Sequence, residues 1–143
     1  MERTLTYDPT QNTVTWGPYE FSHFHDGSVI EAERDEDAVS KHVGLKGNVT
    51  RVKNPNRAGK VTVTLTQGSP TNDDLSAAAL LDENSSPGVV YPLTITDAGG
   101  RTAVFAAEAW IVKVPKLERG KDLAPAVWVF DTGAMQVTIG GAL

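Results

Sequence analysis

Apolar and polar positions alternate along most of this chain with the two-residue period of half-buried strands. Thr13-Val14-Thr15-Trp16 alternates and runs into Gly17-Pro18, a turn signal, so Tyr19 to Phe24 is read as the second strand of an N-terminal hairpin. After Asp26-Gly27, Ser28 to Arg34 reads as a strand whose apolar start, Val29-Ile30, gives way to charge. Lys60 to Thr66 is the cleanest strand, with Val61, Val63 and Leu65 on one face and Thr62, Thr64 and Thr66 on the other. Thr71 to Glu83 abandons the alternation and predicts a helix, with Thr71 or Asn72 as its cap and Asp73 and Asp74 at its positive end. Leu75, Ala78, Ala79 and Leu81 form its narrow packing face, and Asn84 to Gly88 ends it. Val89 to Thr96 follows as a strand that Pro92 assigns to an edge or a bulge. Asp97 to Arg101 is a turn, and Thr102 to Val114 a long strand. Phe105, Ala107, Ala109 and Ile111 fall on one of its faces, Val104, Ala106, Trp110 and Val112 on the other, apolar enough for cover on both sides. Ala126 to Phe130, a turn at Asp131-Thr132-Gly133, and Met135 to Ile139 close the chain.

These elements predict a mainly β fold, a β-sandwich or flattened barrel of about seven or eight strands with one flanking α-helix. At 143 residues the expectation is a single domain over residues 1–143.

One stretch escapes the pattern. Asp35 to Gly59 has no sustained period and is long for a connection inside a compact domain, which usually means function. Its valines predict partial order, a two-stranded excursion folding back at Gly44 to Asn48. Charge singles out the same region. Glu31, Glu33, Asp35, Glu36 and Asp37 have a single base among them, Arg34, whereas Lys41 to Lys60 holds six Lys or Arg residues and no acid. Such segregation exceeds what a solvating loop needs, and an acidic arm beside a basic arm is suited to meeting a second copy. Contacts between unlike surfaces run head to tail and generate rings or filaments.

Composition then removes several classes. The absence of cysteine excludes disulfides and thiolate zinc sites. A net charge of −5 disfavours a grip on nucleic acid through phosphates. No stretch approaches the roughly 20 apolar residues of a membrane span, and the polar start from Met1 to Gln11 does not read as a signal peptide, so assembly in a cytosol and no membrane partner are expected.

Two local motifs resemble chemistry. Val129-Phe130-Asp131-Thr132-Gly133-Ala134 matches the active-site signature of aspartic proteases, which work with two carboxylates sharing a proton. Only ten residues follow Gly133, too few for the strands that fold needs, so a turn with Gly at positive φ is the reading. His23, His25 and Asp26, with His42 elsewhere, lack the converging spacing of a metal site. No nucleophile elbow, P-loop or dinucleotide fingerprint occurs. The expectation is no enzyme, no cofactor and no metal.

A longer pattern is more informative. Val29-Ile30, Ala32-Glu33-Arg34-Asp35-Glu36-Asp37-Ala38, Lys41, Val43-Gly44, Gly47 and Val49-Thr50-Arg51 resemble the tail tube proteins of contractile-tailed bacteriophages. The likeness continues through Asn54 to Arg57, Gly59, Val61 to Leu65, Gln67, Ser69-Pro70, Asn72-Asp73, Leu75-Ser76 and Ala107 to Ile111, from about Leu5 to Gly141. The resemblance implies six-subunit rings, stacked head to tail into the inner tube of a contractile tail, through which DNA enters the host. It implies a virion location and four further partners: tail sheath protein, baseplate or tube initiator, tail terminator, and tape measure protein. Tape measure and DNA would pass the lumen without tight binding. It also implies that about 35–59 is a projecting inter-ring segment. Candidate stacking residues are Arg34, Asp35, Glu36, Asp37, Lys41, Lys46, Arg51, Lys53 and Arg57. Candidate lumen acids are Glu31, Glu33, Glu108 and Glu118, taken as strand residues. The alternatives are the tube of a related contractile injection system and, in a different class, a monomeric β-sandwich binding module.

Overall fold

The structure, a computed structural model, describes residues 4, 7–27, 29–97 and 101–139. Ser28, the centre of the expected turn at Ala98 to Gly100, and the C-terminal Gly140 and Gly141 lie outside the described residues. The strands are β1 (Thr13–Trp16), β2 (Tyr19–Glu20), β3 (Ile30–Arg34), β4 (Val39–Val43), β5 (Val49–Lys53), β6 (Ala58–Thr66), β7 (Tyr91–Thr96), β8 (Thr102–Lys113) and β9 (Pro125–Val137). Helix α1 (Thr71–Asn84) sits between β6 and β7. Seven strands form one antiparallel sheet in the order β2-β1-β7-β8-β9-β6-β3, and β4 and β5 pair only with each other.

The seven-stranded sheet is rolled. Laid flat, its edge strands would stand about 29 Å apart, six steps of roughly 4.8 Å. Yet the Phe21 N–H donates to Val14 O beside β1 (2.9 Å), and two residues later His23 O accepts from Thr66 N beside β6 (3.0 Å). Two extended residues reach about 7 Å. The chain therefore steps from one edge of the sheet to the other, and only a rolled sheet allows that. Ring centroids of Trp16 on β1 and Phe130 on β9 lie 5.2 Å apart across the interior, although two strands separate them in the sheet. The roll is not closed, since β2 and β3 do not pair. The corner is His23 at φ 57°, left-handed backbone that His visits more readily than most residues.

The interior is built from one face of each strand. Val61, Val63 and Leu65 of β6 are fully buried, as are Val14, Trp16, Leu93, Ala106, Ala109, Phe130 and Met135. Each large aliphatic side chain removed from water contributes about 1.5–3 kcal/mol. Helix α1 adds Leu75, Ala78 and Ala79, and the two alanines let it lie close. Its start is tied down by Asn72, whose Nδ2 donates to Thr66 O (2.8 Å) and whose Oδ1 accepts from Trp128 Nε1 (2.8 Å). Thr71 Oγ1 accepts from Ser22 N (3.1 Å). Asn72 thus binds the sheet and Thr71 the segment after β2 instead of capping the helix, and the N-cap position, Pro70, makes no side-chain cap bond. Leu81 is 57% exposed beside Leu80, so it is not on the packing face.

Two of the sheet's register shifts displace the pattern read from sequence. Between β7 and β8 the register passes from Leu93↔Ala106 to Tyr91↔Ala109, so β8 carries an extra residue. That residue flips the alternation, and Ala109 joins Val104 and Ala106 inside. Among the described residues nothing covers the outward face of β8: Phe105 and Val112 are exposed. Between β6 and β9 the pairs Ala58↔Ala134 and Lys60↔Asp131 enclose a second bulge. Asp131-Thr132-Gly133 is therefore not a turn but the interior of the thirteen-residue β9. Thr132 is buried there, and its Oγ1 accepts from Gly59 N (3.1 Å), satisfying an amide that the bulge removes from the ladder.

Candidate functional site

β4 and β5 make a hairpin that stands away from the rolled sheet, since every residue of both strands is exposed. Gly44 N donates to Asn48 O (2.7 Å) and Gly47 N to Gly44 O (2.9 Å), with Gly47 at φ 88° closing the turn. The left-handed φ at Gly47 is what a glycine there supplies. The register sets Val39 opposite Lys53, Lys41 opposite Arg51, and Val43 opposite Val49. One face consequently shows three bases and three valines, and Leu45 at the tip is fully exposed, at 104%. Like charges directly opposite destabilise a strand pair, and a lone two-stranded hairpin is marginal in water. Among the described residues no acid forms an ion pair with these bases; the one ion pair is Lys116–Glu118 at 3.1 Å.

The root of the hairpin is firmer. Arg34 Nε and Nη2 donate to Met135 O (3.1 and 2.9 Å), and Asp35 N to Ala58 O (3.0 Å). Asn54 N donates to Ala38 O (2.9 Å), and Glu36 Oε2 accepts from Asn56 Nδ2. Arg34 and Glu36 are thus engaged inside the subunit, whereas Asp35, Asp37, Lys41, Lys46, Arg51, Lys53 and Arg57 are exposed. Gly59 makes this root possible. A Cβ there would lie 2.7 Å from Glu33 O and against the Met135 methyl group.

A second surface is the outward face of the rolled sheet. Cross-strand partners place Glu33, Lys60, Asp131 and Trp110 in one row, and Glu31, Thr62 and Val129 in the next. Glu108 lies beside Gly133 on the same face. Glu31, Glu33 and Glu108 therefore share one face, all exposed, with β9 and β6 between Glu108 and the other two. Glu118 is not with them; it lies in the 114–124 connection, off the strands, paired with Lys116. Asp131 belongs to this face and was missed, because its Thr-Gly neighbours read as a turn.

The two ends of the sheet differ. β3 ends and β6 begins at the hairpin root. β6 ends opposite the start of β9, where the 114–124 connection and the start of α1 meet. Among the described residues no group of three or more His, Asp or Glu could hold a metal ion, and His23 has its place as the corner of the roll.

Comparison with known proteins agrees with this architecture. The family model described as the bacteriophage PhiTE tail tube protein matches residues 19–140. Structural protein ORF10 of Pseudomonas phage KPP10 is 31% identical over 134 residues, spanning 89% of this chain and 78% of that protein. Among solved structures, the tube-terminating cap of the anti-feeding prophage superposes with TM-score 0.59 at 13% identity, covering 98% of this chain and 95% of that one. A chain from the PVC sheath–tube complex of an extracellular contractile injection system gives TM-score 0.55 at 14% identity, covering 93% of each. At such identities these two likenesses concern the fold, mainly β with one helix.

Proposed function

The chain belongs to the bacteriophage PhiTE tail tube protein family, a family of structural proteins and not of enzymes, and we propose how it builds a tube. The virion is where such a structural tail component resides. Residues 1–143 act as one tube domain. Six copies close a ring, and rings stack head to tail into the inner tube of a contractile tail, inside its sheath, with assembly in the host cytoplasm. The observation that carries this reading is the β4–β5 hairpin. It holds Lys41 opposite Arg51 and leaves Val39, Val43, Leu45 and Val49 exposed. A second copy supplies what the hairpin lacks.

The joint between rings is the segment at about 35–59. Its exposed charges are Asp35, Asp37, Lys41, Lys46, Arg51, Lys53 and Arg57, and Arg34 and Glu36 hold its root. A single exposed ion pair contributes only ~0–1 kcal/mol. Six simultaneous contacts per junction raise the effective strength without any new kind of bond.

The lumen is lined by the acidic sheet face, with Glu31, Glu33, Glu108 and Asp131 among its acids and Glu118 as a more remote candidate. A ring of six carries six times −5, or −30, formal charges. A lining of that sign repels a DNA duplex and keeps it, like the tape measure protein, from adhering. Sheath, baseplate or initiator, and terminator proteins are the remaining partners. Support for sheath and terminator comes from the solved neighbours, one a tube-terminating cap and one a chain of a sheath–tube complex. Size-exclusion chromatography with light scattering tests the reading: particles of six-fold monomer mass or longer rods are expected. A persistent monomer at every concentration would mark a binding module instead.

A further inference from the structure

Head-to-tail stacking joins unlike ends of two copies. The hairpin and the acidic residues 31–37 share one end of the rolled sheet, so the acidic arm is badly placed to receive the hairpin of the next ring. The receiving surface belongs at the other end. A groove of about 290 Å3 opens there, between the start of α1 and the connection after β8. Its apolar wall includes Val114, Pro115, Leu117 and Ala126, with Trp128 at its base. Leu117 is strongly exposed. Asp73 lines the same groove, and its carboxylate has no hydrogen-bond or ion-pair partner among the described residues. Glu118 and Lys116, also in the lining, neutralise each other, and Arg119 donates to Glu118 O.

The hairpin tip has the complementary form: one fully exposed apolar side chain, Leu45, followed by an exposed cation, Lys46, that has no ion-pair partner among the described residues. We propose that this groove receives the hairpin tip of a second copy, Leu45 entering between Leu117 and the start of α1 while Lys46 reaches Asp73. The proposal rests on the stacked-ring reading above and names the other half of its joint. Burying Leu45 removes an apolar group from water on both sides, and the Lys46–Asp73 contact sets its register. A hairpin cannot reach its own groove. The nine residues of β6 separate root from groove by roughly 30 Å.

The lack of cysteine makes the test direct. The double variant Leu45→Cys, Ser76→Cys places one thiol at the tip and one in the groove lining. A disulfide needs Cα atoms within about 7 Å, so it forms only between copies. Tubes assembled under reducing conditions and then oxidised should give a ladder of covalent multimers that collapses to monomer on reduction. Tubes that form normally without the ladder would overturn the proposed groove while leaving the tube intact. Cross-linking in Glu33→Cys, Lys41→Cys instead would place the hairpin on an acidic arm. If the cysteine pair blocks assembly, charge exchange decides. Asp73→Lys should abolish stacking and the added Lys46→Asp should restore it; no restoration contradicts the contact. A wild-type chain that makes no rings at all would count against the tube reading itself.

Discussion

Gly59 and Thr132 carry the tightest point of the subunit, where β6, β9 and the hairpin root meet. Gly59→Ala would press a methyl group onto Glu33 O, 2.7 Å away, and onto Met135. Overpacking of this kind costs about 1–3 kcal/mol. For a chain of this length that lowers Tm by roughly 2–4 °C per kcal/mol, readable by calorimetry. Thr132→Val keeps the shape and removes the acceptor for Gly59 N. A buried amide left unsatisfied costs about 1–3 kcal/mol, expected as a lower urea midpoint at unchanged slope. The Asp-Thr-Gly triplet shows why single residues were the least legible scale. Turn chemistry and a bulge ask for the same residue types. Only the long-range pairing Lys60↔Asp131, invisible in local sequence, decides between them. His23 was equally opaque, since its role is a backbone angle at the seam between two sheet edges.

Elements were far more readable. The alternation from Lys60 to Thr66 became β6 with the expected faces, and the excursion folding back at Gly44 to Asn48 became β4 and β5. Local pairing through a glycine turn needs no distant information, which is why the hairpin could be read. Its charge could be read too, because no partner strand reorders it. What local sequence withheld was the bulge in β8, which turned Ala109 inward and left the opposite face bare. It also withheld that Asn72 is spent on Trp128, a contact set by tertiary packing. The hairpin supports a prediction at its own scale. Reversing Lys41, Arg51 and Lys53 to Glu should leave circular dichroism and Tm nearly unchanged, because all three are exposed on the hairpin and none forms an ion pair among the described residues. Rod formation under the electron microscope should stop. Normal rods from that variant would remove the hairpin from the joint.

At the scale of the whole molecule, the strand pattern predicted a mainly β fold with one helix. The long ordered resemblance predicted the family. The order of strands and the rolled, unclosed sheet required the structure, since β1 and β9 are neighbours in space only through the roll. That roll gives the subunit two unlike ends and one acidic outward face. Unlike ends are what the proposed head-to-tail stacking of six-membered rings requires. Cryo-electron microscopy of the purified wild-type chain, concentrated until it assembles, tests this most directly. The account predicts six-fold rings stacked with one polarity, with the β4–β5 hairpin of each subunit crossing into the adjacent ring. Rods in which that hairpin stays within its own ring, or a protein that remains monomeric throughout, would contradict it.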